Sequence, residues 1–174
     1  MKKITLILVF LGLLAFTSQA QAPLEKGGIQ INAGLGMSSW GLPIYGGFDY
    51  GVGNNISIGG ELSFRSKSES YGNSKWKTSY TSIAGIANYH FNEVLNIPSK
   101  FDFYAGLSLG YSIFNSKYDG PGGDYDYTGS GDSGLYLSGQ VGGRYFFSDK
   151  VAVNLEFGGG NVFSSGKIGV TFLL

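Results

Sequence analysis

The stretch from Phe101 to Phe114, FDFYAGLSLGYSIF, places an apolar residue at every second position: Phe101, Phe103, Ala105, Leu107, Leu109, Tyr111 and Ile113. A period of two is the mark of a β-strand with two unlike faces. The same alternation recurs from Ile29 to Met37, Ile44 to Val52, Ile56 to Phe64, Ile83 to Phe91, Leu135 to Phe147, Val151 to Phe157 and Ile168 to Leu174. Eight strands of about ten residues have the length and even number that close a small barrel across a bilayer. Beyond the first residues no helical periodicity of useful length competes, apart from a single turn around Asn92 to Leu95.

Alternation alone does not say which face is inside. A soluble sandwich or lipocalin-like barrel buries the apolar face, whereas a membrane barrel turns it outward. None of the apolar-face positions carries a charge, and the opposite face collects Asp49, Glu61, Arg65, Asn88, His90, Asp102, Gln140, Arg144, Asn154, Glu156 and Lys167 among many glycines. Composition favours the inverted arrangement. Charged residues are only 14% of the chain and Gly accounts for 30 of 174 residues. That is too little charge for a water-facing surface, while small residues leave room in a narrow lumen for a few large polar ones. The expected fold is all-β: an eight-stranded antiparallel up-and-down transmembrane β-barrel with its polar face inward.

The opening residues, MKKITLILVFLGLLAFTSQA, combine a Lys2-Lys3 start, an apolar run from Ile4 to Phe16 and small residues at Ser18 and Ala20. This is the pattern of a secretory signal peptide. Cleavage is expected after Ala20, giving a leader at 1–20 and a barrel at 21–174. Losing Lys2 and Lys3 takes the twelve basic residues to ten against twelve acidic ones, a net charge of −2. No nucleic-acid partner is indicated. With no cysteine in the chain, the exported protein has no disulfide framework and relies on its ladder and packing.

Connections alternate between tight (Gly53 to Asn55, Ser148 to Lys150) and long, polar ones (Ser66 to Lys75, Asn115 to Ser133). Aromatics gather toward strand ends, with Tyr50, Tyr89, Phe91, Phe101, Tyr145, Phe147 and Phe172 at one level and Trp40, Phe64, Trp76, Tyr111 and Phe163 at the other. These are expected to form the interfacial girdles of a membrane barrel. Together with the last strand, KIGVTFLL, these features resemble the small outer-membrane β-barrel family of OmpA-type transmembrane domains and OmpX/Ail-type proteins, in a form similar to those of Bacteroidetes. The resemblance covers nearly all of the chain after the leader and rests on pattern rather than a diagnostic motif. It implies localisation in the cell outer membrane, both termini in the periplasm, and passage through the outer-membrane assembly machinery. The family's last strand usually ends in Phe or Trp, whereas here Phe172 sits two places before Leu174 on the same face.

Parity sends Asp49, Glu61, Arg65, Asp102, Arg144, Glu156 and Lys167 into the lumen. Opposite charges are therefore available to pair, and the expected result is a structural network; a switchable constriction is the alternative. His90, the only histidine, could in principle serve a neighbouring serine as a base. Its position near the periplasmic end suits a structural role better. In the loop DGPGGDYDYTGSGDSG, Asp124, Asp126, Thr128 and Asp132 fall at oxygen-ligand positions of a calcium loop, but the twelfth place is Leu135 rather than Glu. A flexible polar loop uses the same residues.

Tyr71, Trp76, Tyr118, Tyr125 and Tyr127, interleaved with Gly, Ser and Asp, have the composition of a contact surface. Lys67, Lys75 and Lys77 suit lipid phosphates. No phosphate loop, zinc spacing or catalytic triad is recognisable. The leading expectation is a monomeric structural or interaction protein, not an enzyme and without a cofactor. Its expected partners are outer-membrane lipid and lipopolysaccharide, and a host or envelope protein reached through the loops. A small channel or carrier for ions or hydrophobic molecules and a soluble periplasmic lipocalin-like protein are the alternatives.

Overall fold

The alternating segments pair as antiparallel strands because each can satisfy its backbone only from its neighbours. The computed structural model describes residues 24–38, 41–71, 74–120, 125–127, 133–161 and 164–174. Its strands are β1 (Ile29–Met37), β2 (Ile44–Gly53), β3 (Ile56–Tyr71), β4 (Ser74–His90), β5 (Phe101–Asp119), β6 (Tyr125–Tyr127), β7 (Gly134–Phe146), β8 (Val151–Gly160) and β9 (Ser164–Leu173). Each barrel strand pairs with the next, and β9 returns to β1 with Phe172 opposite Ile31. That pairing closes an eight-stranded barrel. The three residues of β6 lie outside the ring, added to β5 above β7.

Both described chain ends share one end of the barrel with the β2–β3 and β7–β8 turns and the 91–100 connection, here the turn end. The β2–β3 hairpin turns there through Asn54 and Asn55, at φ values of 54° and 61°. Asparagine tolerates this left-handed backbone, and such turns match the twist of the strands they join. At 92–96 the chain makes one helix-like turn, with Leu95 N donating to Phe91 O at 3.0 Å.

The faces are sorted as in a bilayer-spanning barrel. Leu62, Leu107, Leu137 and Ile168 point outward and are 55–59% exposed, whereas Gln30, Asp102 and Thr171 point inward at 0%. Such an arrangement is the inverse of a soluble barrel. Toward the turn end, beneath the polar residues, the apolar side chains of Leu24, Phe146 and Ala152 are also buried and make up an apolar layer, the apolar plug. Inward glycines make the narrow bore workable. A Cβ on Gly142 would meet the Tyr104 ring, which occupies that space.

Two expectations change. Ser66 to Lys75 is mostly ribbon rather than loop, since β3 and β4 stay paired up to Tyr71 opposite Ser74, and β5 runs on to Asp119. Above the apolar band the outward face turns polar and the lumen-side face mixes hydroxyls with aromatic rings, so the apolar-out, polar-in contrast vanishes while the backbone ladder continues. Trp76 consequently does not join the outward girdle. Parity carried up β4 from Ser82 puts it on the lumen-side face, against Tyr118. Trp40 and Phe163 lie outside the described residues. The wall is uneven: β3, β4 and β5 have 16, 17 and 19 residues, but β1, β2, β8 and β9 only nine or ten.

Candidate functional site: the lumen network and the tall wall

Near the turn end the β5–β7 register sets Arg144 directly opposite Asp102. Arg144 Nη1 donates to Asp102 Oδ2 at 2.6 Å, and Nη2 to Asp49 Oδ2 at 3.2 Å. The same Asp49 oxygen accepts from Gln30 Nε2 at 2.7 Å and Asn32 Nδ2 at 2.9 Å. One guanidinium thus lies between two carboxylates, 4.1 Å from the centre of the Tyr104 ring. Buried charges are tolerated when paired and hydrogen-bonded in this way.

The other Asp102 oxygen, Oδ1, lies 2.7 Å from His90 Nδ1, and His90 Nε2 lies 2.9 Å from Ser57 Oγ. Serine, histidine and aspartate therefore stand in the hydrogen-bonding order of a nucleophile, its base and an orienting acid. Burial argues against catalysis. Ser57 and Asp102 are 0% exposed and His90 is 1% exposed, and Arg144 holds the second carboxylate oxygen. A substrate carbonyl has no approach to Ser57 Oγ, so the chain of bonds braces β3, β4 and β5 against one another.

A second tier lies above. Lys167 Nζ donates to both oxygens of Glu61 at 2.7 and 2.8 Å and reaches Glu156 Oε1 at 3.0 Å. Glu156 Oε2 accepts from Tyr104 Oη at 2.9 Å, which makes Glu156 one link between tiers. Beside them Tyr45 Oη donates to Asn154 Oδ1 at 2.8 Å, and Asn154 Nδ2 donates to Thr171 Oγ1 at 3.0 Å. Between the tiers is a cavity of about 20 Å³ bordered by Asp49, Tyr104, Arg144 and Asn154. A larger cavity of about 80 Å³ lies toward the loop end among Glu61, Arg65, Ser82, Tyr136, Gln140 and Lys167. It ends on the upper tier.

All seven charged residues assigned to the lumen by parity point inward, and six of them join in the two tiers. Arg65 sits higher, 5.1 Å from the centre of the Tyr80 ring. Ser57, Tyr45 and Tyr104 were not singled out from sequence. Ser57 lies four residues before Glu61, Tyr45 four before Asp49, and Tyr104 two after Asp102, so the same parity could have placed them.

On the lumen-side face of the tall wall, successive β4–β5 rungs carry Ser82 with Ser112, Tyr80 with Phe114, Thr78 with Ser116 and Trp76 with Tyr118. The ring pairs lie 5.1 and 4.7 Å apart. Of the other contact candidates, Tyr71 ends β3 and Tyr125 and Tyr127 bound β6. From the calcium-loop pattern only Asp126 falls within described backbone, in β6; Asp124, Thr128 and Asp132 lie outside the described residues.

Residues 8–171 match the family described as the outer membrane protein beta-barrel domain. The chain belongs to that family. Solved barrels share its fold at low sequence identity. OprG from Pseudomonas aeruginosa is 11% identical with a TM-score of 0.58, over 88% of this chain and 99% of that one. The N-terminal β-barrel domain of Pseudomonas aeruginosa OprF is 14% identical with a TM-score of 0.57, over 86% and 98%. Ail, the attachment invasion locus protein of Yersinia pestis, is 14% identical with a TM-score of 0.53, over 86% and 99%. No curated protein sequence matches the chain.

Proposed function

We propose that this member of the family is a structural and interaction protein of the outer membrane. Its turn end and termini face the periplasm and its tall β3–β4–β5 wall faces the cell exterior. The observation that carries this reading is the combination of a lumen filled by paired side chains with a wall that rises on one side only. A filled lumen leaves the outward face and the wall as the surfaces through which the protein acts. The sealed Ser57–His90–Asp102 chain supports a role other than catalysis. The two tiers and the apolar plug favour this reading over a channel or carrier.

The absence of cysteine from the chain makes the test direct. Ser68→Cys on the wall is expected to react with a membrane-impermeant maleimide on intact cells, and Asn54→Cys only after the outer membrane is permeabilised. The reverse pattern would overturn the orientation. Equal labelling of both sites on intact cells would overturn the barrier the closed lumen provides.

A further inference from the structure

The three connections at the turn end differ in kind. Gly53 to Asn55 and Ser148 to Lys150 are short and polar, whereas the one after β4 carries Val94 and Leu95, which are 61% and 62% exposed. One exposed aliphatic side chain carries no information. This adjacent pair does, because the chain before it fixes the direction in which it points.

Phe91 N donates to Phe103 O at 2.8 Å, so the β4–β5 ladder runs on past His90 and strand parity keeps Phe91 on the outward face. Its ring meets that of Tyr89 edge-on, with centroids 5.2 Å apart. From there the backbone coils once, Leu95 N donating to Phe91 O. In such a coil residues three and four apart share a side, so Val94 and Leu95 lie beneath Phe91 on the outward side. Polar residues hold this rotation. Asn92 is buried, with its Oδ1 accepting from Phe103 N at 3.3 Å and its Nδ2 donating to Phe101 O. Glu93 Oε2 accepts from Asn55 Nδ2 of the β2–β3 turn at 2.6 Å, and Asn96, at a left-handed φ of 51°, closes the coil.

Distance decides whether the pair reaches water. A helical rise of about 1.5 Å per residue puts Val94 and Leu95 no more than about 6 Å beyond Phe91, and side chains on a helical turn lean toward its start, here back toward the barrel. Phe91 stands in the outward aromatic group with Tyr89, Phe103 and Tyr145, and such girdles sit at the membrane–water interface. The polar region of one leaflet is about 5–7 Å deep. Both side chains therefore stay within the leaflet even if the coil points straight out of the membrane.

We propose that residues 91–95 form an interfacial foot seated in the phospholipid leaflet at the turn end. Val94 and Leu95 lie among the glycerol and ester groups, continuing the lipid-facing band, while Asn92 and Glu93 hold the coil against the barrel. The foot anchors the rim at one place, beneath β4 and β5, as short amphipathic segments do when their apolar side is buried at the acyl boundary. The proposal rests on the membrane placement argued above and not on which end faces the periplasm.

With no cysteine in the chain, a single nitroxide label can be attached at Val94→Cys, Leu95→Cys, Leu107→Cys or Asn54→Cys in the full barrel refolded into phosphatidylcholine vesicles. Power saturation of its EPR signal by oxygen, which concentrates among acyl chains, and by a water-soluble nickel chelate reports depth. The labels at Val94→Cys and Leu95→Cys are expected to be several-fold less open to the chelate than the label at Asn54→Cys, and to lie in depth between it and the label at Leu107→Cys. Chelate access equal to that at Asn54→Cys would overturn the foot. Labels shielded from oxygen and chelate alike would also overturn it, since the pair would then be covered by a second copy of the chain. Open chelate access at Leu107→Cys would instead defeat the membrane placement on which the foot depends. With chelate on both sides of the vesicle the direction of insertion does not enter, so failure here is distinct from failure of the cysteine-labelling test on cells.

Discussion

Arg144 and Asp102 stand opposite each other across β5 and β7, joined at 2.6 Å with both side chains buried. The same guanidinium also serves Asp49, so it is the single arginine between two lumen carboxylates.

Removing that cation alone should be costly. Arg144→Met leaves Asp49 and Asp102 buried without it, and breaking a buried pair on one side typically costs about 3–5 kcal/mol. The expected result is a large drop in the urea midpoint of the refolded barrel. Adding Asp49→Asn and Asp102→Asn to Arg144→Met should recover much of the loss, because no uncompensated charge then remains. A triple variant no more stable than the single one would show that shape, not charge, dominates this tier.

The outward face predicts a depth-dependent penalty. Leu107 lies mid-strand and is 59% exposed, which in a bilayer means lipid contact. Leu107→Arg should destabilise folding into phosphatidylcholine vesicles by about 2–4 kcal/mol, whereas Lys or Arg nearer an interface costs about 0–1 kcal/mol. Thr81→Arg, at the upper edge of the apolar band, is the matching control. Equal effects at the two sites would contradict the assignment of the band.

How much of this could be read beforehand depended on where two faces differ in polarity. Leu107 and Asp102 announce themselves by parity because one belongs to lipid and the other to the lumen. Trp76 did not, because its stretch of β4 stands above the apolar band, where Lys75, Lys77 and Thr78 erase the contrast between faces. The inward direction of the charged residues was legible for the same reason as Leu107, but their partners were not. Lys167 bonds to Glu61 across 106 positions and Tyr45 to Asn154 across 109, and such pairings follow from barrel closure and register rather than from any local pattern. Leu24, lying before β1, carried no periodic signal at all.

Glycines on the two faces should respond oppositely to a single methyl group. A Cβ on Gly106 would collide with the Asn88 side chain and the Ala87 carbonyl, while one on Gly85 has nothing nearer than 4.0 Å. Gly106→Ala should therefore cost about 1–3 kcal/mol by overpacking. Gly85→Ala should be neutral or slightly stabilising, since it reduces the freedom of the unfolded chain. Folded-state mobility in SDS as a function of temperature separates the two.

The two tiers and the apolar plug stand in series, which sets a condition on conduction. Glu61→Gln with Lys167→Gln removes the charges of the upper tier but leaves Arg144, Asp102 and Asp49 in place above Leu24, Phe146 and Ala152. In planar bilayers both the parent and this double variant are expected to pass no steady ionic current. Steady current is expected only when the lower tier is also discharged, by Arg144→Met with Asp49→Asn and Asp102→Asn, and Leu24 and Phe146 are both cut to Ala. Conduction from the upper-tier variant alone would mean that the lower tier opens readily, and the small-channel reading would then displace the structural one.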